Sequence, residues 1–288
     1  MPIRLAIVGP GRVGSALGRR FAAAGVDVLG FVGRRPASAL AAVQFTGRGR
    51  VLGIADLAVA HVVVLAVGDG DLATAVQQGT AAGPRSCSLW LHTSGAHGLE
   101  VLAPLQRAGA RIGSLHPATP FPDAAAGLAR LAGCPAVLQG EPRSELLLLR
   151  LCVLLGAVPL WSSGGDRPGY HAACALAANG LTALASVVHE LLATASGLSA
   201  DDAALVAQSL MAAALAACGE QGAVRALSGP LLRSDLGTVR AHLQALAGLP
   251  AVLPIYRALM LRALELAVQR GLPAANAAAM RQLLSGTA

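Results

Sequence analysis

The sequence predicts an α/β N-terminal domain with a doubly wound sheet, residues 1–163, followed by an all-α C-terminal domain, residues 164–288. Three observations carry that prediction. Short β-branched runs alternate with helical patterns through the first half. The first strand–helix junction holds a cluster of spaced glycines. Beyond the stretch "SSGGDRPG", Ser162 to Gly169, only helical patterns remain.

The run from Ile3 to Val8 is the first strand; it breaks at Gly9-Pro10-Gly11 and passes into a helix ending near Gly25. Gly9, Gly11 and Gly14 have the spacing G-x-G-x-x-G of a Rossmann dinucleotide turn. Gly9 suits the tight turn, Gly11 the approach of backbone to a pyrophosphate, and Gly14 close packing of helix on strand. With Arg12 and Val13 they turn free N–H groups and the positive end of the helix toward phosphates, and Pro10 lies within the same phosphate-facing turn. The second strand is Val26 to Val32. Where an NAD site usually carries Asp or Glu after this strand, the chain has Gly33, Arg34, Arg35 and then Ser38. Guanidinium groups suit a 2′-phosphate and the adenine face, so these residues point to NADP (NADPH) over NAD. The plainer alternative makes Arg34 and Arg35 solvated loop charges.

His61 to Val67 is apolar and β-branched throughout, as a central parallel strand would be. It ends at Gly68-Asp69-Gly70-Asp71, where Asp69 or Asp71 is expected to cap the next helix. Further strands are expected in Ser88–Gly95, in 110–121, and in "CPAVLQG" and "AVPLW" around a helix from Pro142 to Leu155. Ligands in such sheets lie beyond the carboxyl ends of the strands, which places Ala66, Val67, Gly68, Ser94 and His116 near the site. In the second half, helices are expected from about 168 to 196, from the capping sequence "SADD" (Ser199 to Asp202) to about Gly219, after Ser234 or Asp235, from about 253 to 271, and from Ala274.

Composition narrows the function classes. The chain of 288 residues is 55% hydrophobic, 13% charged and 3% aromatic, with a formal charge of +7. Its arginines are scattered and its aromatics few, which argues against nucleic acid and fits a small anionic ligand. All 22 basic residues are arginine, and there is no lysine. The five cysteines have no metal-ligand spacing and suit a reducing cytoplasm. The apolar run at the N-terminus is too short for a secretory signal. Two longer apolar stretches, "LLLLRLCVLLGAVPLW" and "AACALAANGLTALASVV", are interrupted by polar residues and read as buried segments, so no membrane partner is expected. An Ala-rich helical half with few charges should bury further surface, and a homodimer through it is expected.

Six stretches carry a family resemblance: "GPGRVGSALG", "LAVGDGDLATAV", "LHTSGAHGLEVLAPL", "SLHPATPF", "YHAACALAANGL" and "SGPLLRSDLGTVRAHL". Together they resemble the superfamily of ketopantoate reductases, β-hydroxyacid dehydrogenases, 6-phosphogluconate dehydrogenases and pyrroline-5-carboxylate reductases. They are more closely similar to a branch joining a Rossmann-like domain to a helical domain of unknown function, labelled NADP oxidoreductase, coenzyme F420-dependent-like. The resemblance implies a nicotinamide-dependent oxidoreductase. In ketopantoate reductases and β-hydroxyacid dehydrogenases a lysine on the first helix of the second domain supplies the proton, and an asparagine follows one turn later. Asn179 matches the asparagine; the residue one turn earlier is Ala175. Ser94 falls where these reductases place a small polar residue near nicotinamide or substrate.

Without lysine, the candidates for general acid are His171 and His116. His171 and Asn179 are about 12 Å apart along a helix and about 80° around it, so they could share a pocket but not a proton. The plainer readings are that His116 braces the turn before Pro117, His171 caps its helix, and Ser94 bonds its own loop. Arg233 could meet a substrate carboxylate or a partner subunit, with Asp235 as a helix cap. The expectation is therefore an NADP-dependent oxidoreductase reducing a small anionic carbonyl or imine compound, such as a 2-oxo acid. A non-catalytic NADP-binding sensor or assembly protein is the alternative, and F420-linked NADP reduction a further one.

Overall fold

A computed structural model describes residues 3–286. The chain forms two compact units, residues 1–178 and 179–288.

The first unit is built on an eight-stranded sheet. Its elements in chain order are β1 (Arg4–Val8), α1 (Arg12–Ala23), β2 (Asp27–Val32), α2 (Pro36–Thr46), β3 (Arg50–Val51), β4 (Val62–Leu65), α3 (Leu72–Ala81), β5 (Leu89–His92), α4 (Ala103–Arg107), β6 (Arg111–Pro117), α5 (Ala124–Leu131), β7 (Pro135–Gly140), α6 (Glu145–Leu155), β8 (Val158–Trp161) and α7 (Arg167–Ala175). The strand order is β3-β2-β1-β4-β5-β6-β7-β8. The first six strands are parallel, and β7 and β8 run the other way. The order reverses between β1 and β4, which opens a crevice at their carboxyl ends.

Alternation along the strands feeds two cores. Leu5 and Ile7 of β1, with Val62 and Val64 of β4, join Leu17, Phe21, Leu148 and Leu151 on one face. Ala6, Val8, Val63 and Leu65 join Leu72, Val76, Trp90 and Leu105 on the other. The segment "LLLLRLCVLLGAVPLW" is α6 and β8, and Leu148, Leu151, Cys152 and Leu155 are buried in the first of these cores. Cys134 is buried beside them, and both thiols are free.

The structural division falls after residue 178, whereas the sequence suggested 163/164. Asp166 starts α7 by accepting the Gly169 N–H at 3.0 Å, so the helix begins inside the apparent linker. Side chains of α7 then bond residues of the sheet unit, as described below. One π-helical turn, Leu176–Gly180, follows α7.

The second unit comprises α8 (Leu181–Ala195), α9 (Ala200–Gln221), α10 (Ala223–Ala226), α11 (Leu236–Leu246), α12 (Leu253–Gln269) and α13 (Ala274–Ser285). Ser199 caps α9 and Asp235 caps α11 through their side chains. Its core is Leu231, Val239, Leu264, Met280 and Leu284 with their neighbours. The apolar helices α8 and α9 contribute little to it: none of α8 is buried, and α9 buries Ala203 and Ala207. Arg167–Ala195 and Ala200–Gln221 are each long and apolar enough to cross a membrane. The stretch "AACALAANGLTALASVV" thus has no buried residue, and from residue 179 on this is because the core of the second unit forms around α11 to α13.

Candidate active site

A groove of about 580 Å³ lies at the carboxyl ends of β1, β2 and β4. Gly9, Pro10, Gly11, Arg34, Arg35, Ser38, Ala66, Val67 and Gly68 all line it, as do Asp71, Thr74 and Gln78. Gly9 has φ +101°, and a Cβ on Gly14 would stand 2.0 Å from the Gly9 carbonyl oxygen, so the turn lies directly on the helix. A Cβ on Gly11 would meet nothing within 4 Å, which leaves open space in front of the turn. No side chain caps α1 and no acidic residue occupies its first turn, so its leading N–H groups are free for an anion. Arg12, Val13 and Gly14 supply that turn's backbone and do not line the groove.

The rim after β2 is basic. Arg34 is exposed and pairs with Asp71 at 3.2 Å. Asp71 stands at the N-cap of α3, as the sequence suggested, but neither it nor Asp69 makes a side-chain cap bond. Asp71 turns to Arg34, and Asp69 accepts a hydrogen bond from Ser94 at 2.6 Å. A phosphate reaching Arg34 therefore competes with Asp71. Gly33 holds the position of the usual NAD carboxylate, and a Cβ there would lie 2.7 Å from the Pro10 ring. Pro10 leaves no room for that carboxylate.

A second cluster sits past β5 and β6. His116 is half-buried at the end of β6, and its Nδ1 is 2.8 Å from the Tyr170 hydroxyl on α7. His171 is close by, with ring centroids 6.4 Å apart. A Cβ on Gly95 would lie 2.6 Å from His171 Nδ1 and 2.9 Å from His116 Nε2, so only glycine lets both imidazoles approach that loop. Burial first, then Arg167 and His171, push the His116 pKa down to about 4, against a pull from Asp69. Burial and the Cys174 thiol push Tyr170 up to about 12. At neutral pH both are uncharged.

Arg167, absent from the sequence-based candidates, underpins this cluster. It is 6% exposed. Its Nε donates to the His97 carbonyl at 3.0 Å and its Nη2 to the Ser94 carbonyl at 3.1 Å, while the guanidinium covers the Tyr170 ring at 4.9 Å. Placed before Pro168 in an apparent linker, it carried no sequence signal beyond a solvated charge.

Ser94 is buried, donates to Asp69, and accepts from the Ala96 and His97 N–H groups at 3.0 and 3.2 Å. Its hydroxyl braces its own loop. Although His97 Nδ1 lies 3.1 Å away, the serine proton goes to the carboxylate, which is not the arrangement of a serine nucleophile. His92 is structural: it is buried and its Nε2 meets the Gly98 carbonyl at 3.1 Å.

His116 and His171 thus come together within the first unit, through α7, and need no second domain to meet. Asn179 and Arg233 belong to the other unit, and both are exposed. Asn179 lies in the π-helical turn, so the α-helical spacing assumed between it and His171 does not hold.

Residues 2–117 match the Rossmann-like domain family, and residues 134–263 match the family described as Domain of unknown function (DUF2520). The chain joins a Rossmann-like domain to a DUF2520 domain. No curated protein sequence matches it. Among solved structures, a proposed NADP oxidoreductase from Bacteroides fragilis is similar with a TM-score of 0.73 and 19% identity, over 90% of this chain and 96% of that one. A pyrroline-5-carboxylate reductase from Coxiella burnetii gives 0.59 and 17%, over 92% and 96%. A reductive aminase from Aspergillus terreus, solved with NADPH and ethyl-5-oxohexanoate, gives 0.57 and 17%, over 99% and 93%. The chain therefore shares its fold with these proteins.

Proposed function

We propose that the chain is an NADP-dependent oxidoreductase that reduces a small anionic carbonyl or imine compound, of the 2-oxo acid kind. The observation that carries this is the basic rim of the groove. Arg34, Arg35 and Ser38 follow β2, and Pro10 fills the place of an NAD-selecting carboxylate. The similarity to a reductive aminase solved with NADPH supports it.

On this reading Gly9, Gly11 and the first turn of α1 hold the pyrophosphate, and Arg34, Arg35 and Ser38 hold the 2′-phosphate. The bound cofactor supplies a hydride. His116, steadied by Tyr170, and His171 are the proton-donating candidates, with Asn179 and Arg233 as candidates for orienting substrate. His116 is neutral at pH 7 without substrate, so it acts as an acid only if its surroundings change. NADPH should bind more tightly than NADH in isothermal titration. Arg34→Ala should lose about 1.5–3 kcal/mol for NADPH alone, the loss of a charge-assisted bond. Equal affinities in the unaltered protein defeat the NADP assignment.

The missing lysine favours one other reading, a non-catalytic NADP-binding sensor. Tight NADPH binding without turnover of any 2-oxo acid or imine in a panel would select it. We infer further that the protein works in the cytoplasm on a small molecule, with neither nucleic acid nor membrane as partner. We also infer that it pairs with a second copy through residues 179–288. Leu205, Leu210 and Leu215 of α9 are 66%, 64% and 55% exposed, apolar area around the helix that association would remove from water.

A further inference from the structure

Arg167 is a buried cation with no anion. Among the described residues the ion pairs are Arg34–Asp71, Arg50–Asp56, His97–Asp69 and Arg262–Glu265, and none includes Arg167. Its hydrogen bonds go to two carbonyls, which share the charge without cancelling it. A guanidinium taken out of water without a counter-charge is costly, and its location calls for a reason.

Tyr170 lies under the guanidinium and bonds His116. His171 packs edge-on to His116, and its Nδ1 is buried with no protein partner. The carboxylate that acts on His116, Asp69, is held by Ser94 and is 42% exposed, and the Glu100 carboxylate is taken by the Gly98 N–H. The groups acting on His116 are thus Arg167, Tyr170 and His171 on α7, and Asp69 after β4. Burial suppresses its charged form most, Arg167 and His171 add to that, and only Asp69 favours it.

We propose that Arg167, His116 and His171 form the subsite for the carboxylate of the substrate, and that the bound carboxylate is what allows His116 to take up a proton. This rests on the reductase reading and deepens it: it assigns the residues that receive the anionic group of a 2-oxo or 2-imino carboxylate and ties that group to the proton donor. The anion supplies the counter-charge that Arg167 lacks, and its negative charge beside the imidazole offsets the burial and the cationic neighbours that keep His116 neutral. The proton comes from solvent. Once charged, His116 donates from both ring nitrogens, and the Tyr170 oxygen accepts at Nδ1.

The test uses the full chain loaded with NADP⁺, and oxamate as an unreactive carboxylate probe. Calorimetry in buffers of different ionisation heat reads proton uptake on binding. Oxamate should bind with net uptake. Its affinity should rise as pH falls from about 7.5 to 5, approaching about tenfold per unit between the free and bound His116 pKa values. Uncharged oxamide should bind at least about tenfold more weakly. His116→Gln should abolish the proton uptake and the rise in oxamate affinity at low pH; this variant leaves the Arg167 bonds to the 94–97 loop in place. Arg167→Met should lose oxamate binding while keeping NADP⁺.

Oxamate binding without proton uptake overturns the proposal, and so does unchanged uptake in His116→Gln. Oxamide or inorganic phosphate binding as tightly as oxamate also overturns it. NADP⁺ loading with no oxamate binding sinks the subsite alone, whereas failure to load NADP⁺ sinks the reductase reading beneath it.

Discussion

Pro10 decides what position 33 can hold. Its Cγ would lie 2.7 Å from a Cβ at Gly33, and a proline ring cannot swing aside. An aspartate introduced there, the obvious route to NADH selectivity, has to displace the phosphate turn first. We therefore expect Gly33→Asp to weaken both cofactors. Gly33→Asp with Pro10→Ala should restore binding with NADH preferred, as measured by titration of each. His92 and His116 set the acid response. Both have pKa values near 4, chiefly through burial, against 6.5 for a free histidine. Between about 4 and 6.5 the unfolded chain binds more protons than the folded one, so stability is full above the upper limit and falls as pH drops through that window. The urea midpoint of the sheet unit should fall from pH 7 to pH 5. His116→Gln should lessen the fall.

Helix α7 shows how one capped turn can organise a site. Asp166 fixes its start, and Arg167, Tyr170 and His171 follow within the next turns. Asp166→Ala should cost about 1 kcal/mol in chemical denaturation and reduce turnover by more than that loss of folded protein explains, because the helix start frays. This helix also marks the limit of what the sequence made legible. The apolar runs announced β1, β2, β4, β5 and β6, and the glycine spacing with Arg34 and Arg35 announced the groove. The two-residue β3 has no pattern of its own; it exists because Gly30 lets Arg50 approach, where a Cβ would stand 1.8 Å from the Arg50 oxygen. The reversal of β7 depends on pairing with β6, which periodicity cannot report. Likewise the His116–Tyr170 bond joins residues 54 apart, and Arg167 gains its role only when α7 bonds the 94–97 loop.

At the scale of the whole molecule, the two units differ in how they bury apolar surface. The sheet unit fills a core on each face, while α9 leaves leucines in the open. If a second copy covers them, Leu205→Glu with Leu210→Glu should convert dimer to monomer in sedimentation velocity and leave NADPH affinity unchanged. A monomer in the unaltered protein, or recovery only with detergent, would refute the pairing. The thiols offer a separate handle. Cys87 and Cys218 are exposed, whereas Cys134 and Cys152 lie inside the sheet unit. An alkylating reagent will mark the outer pair at once and reach the inner pair only when the strands part. The protein so carries its own clock, one that times the opening of the nucleotide-fold half and is blind to the unzipping of the other.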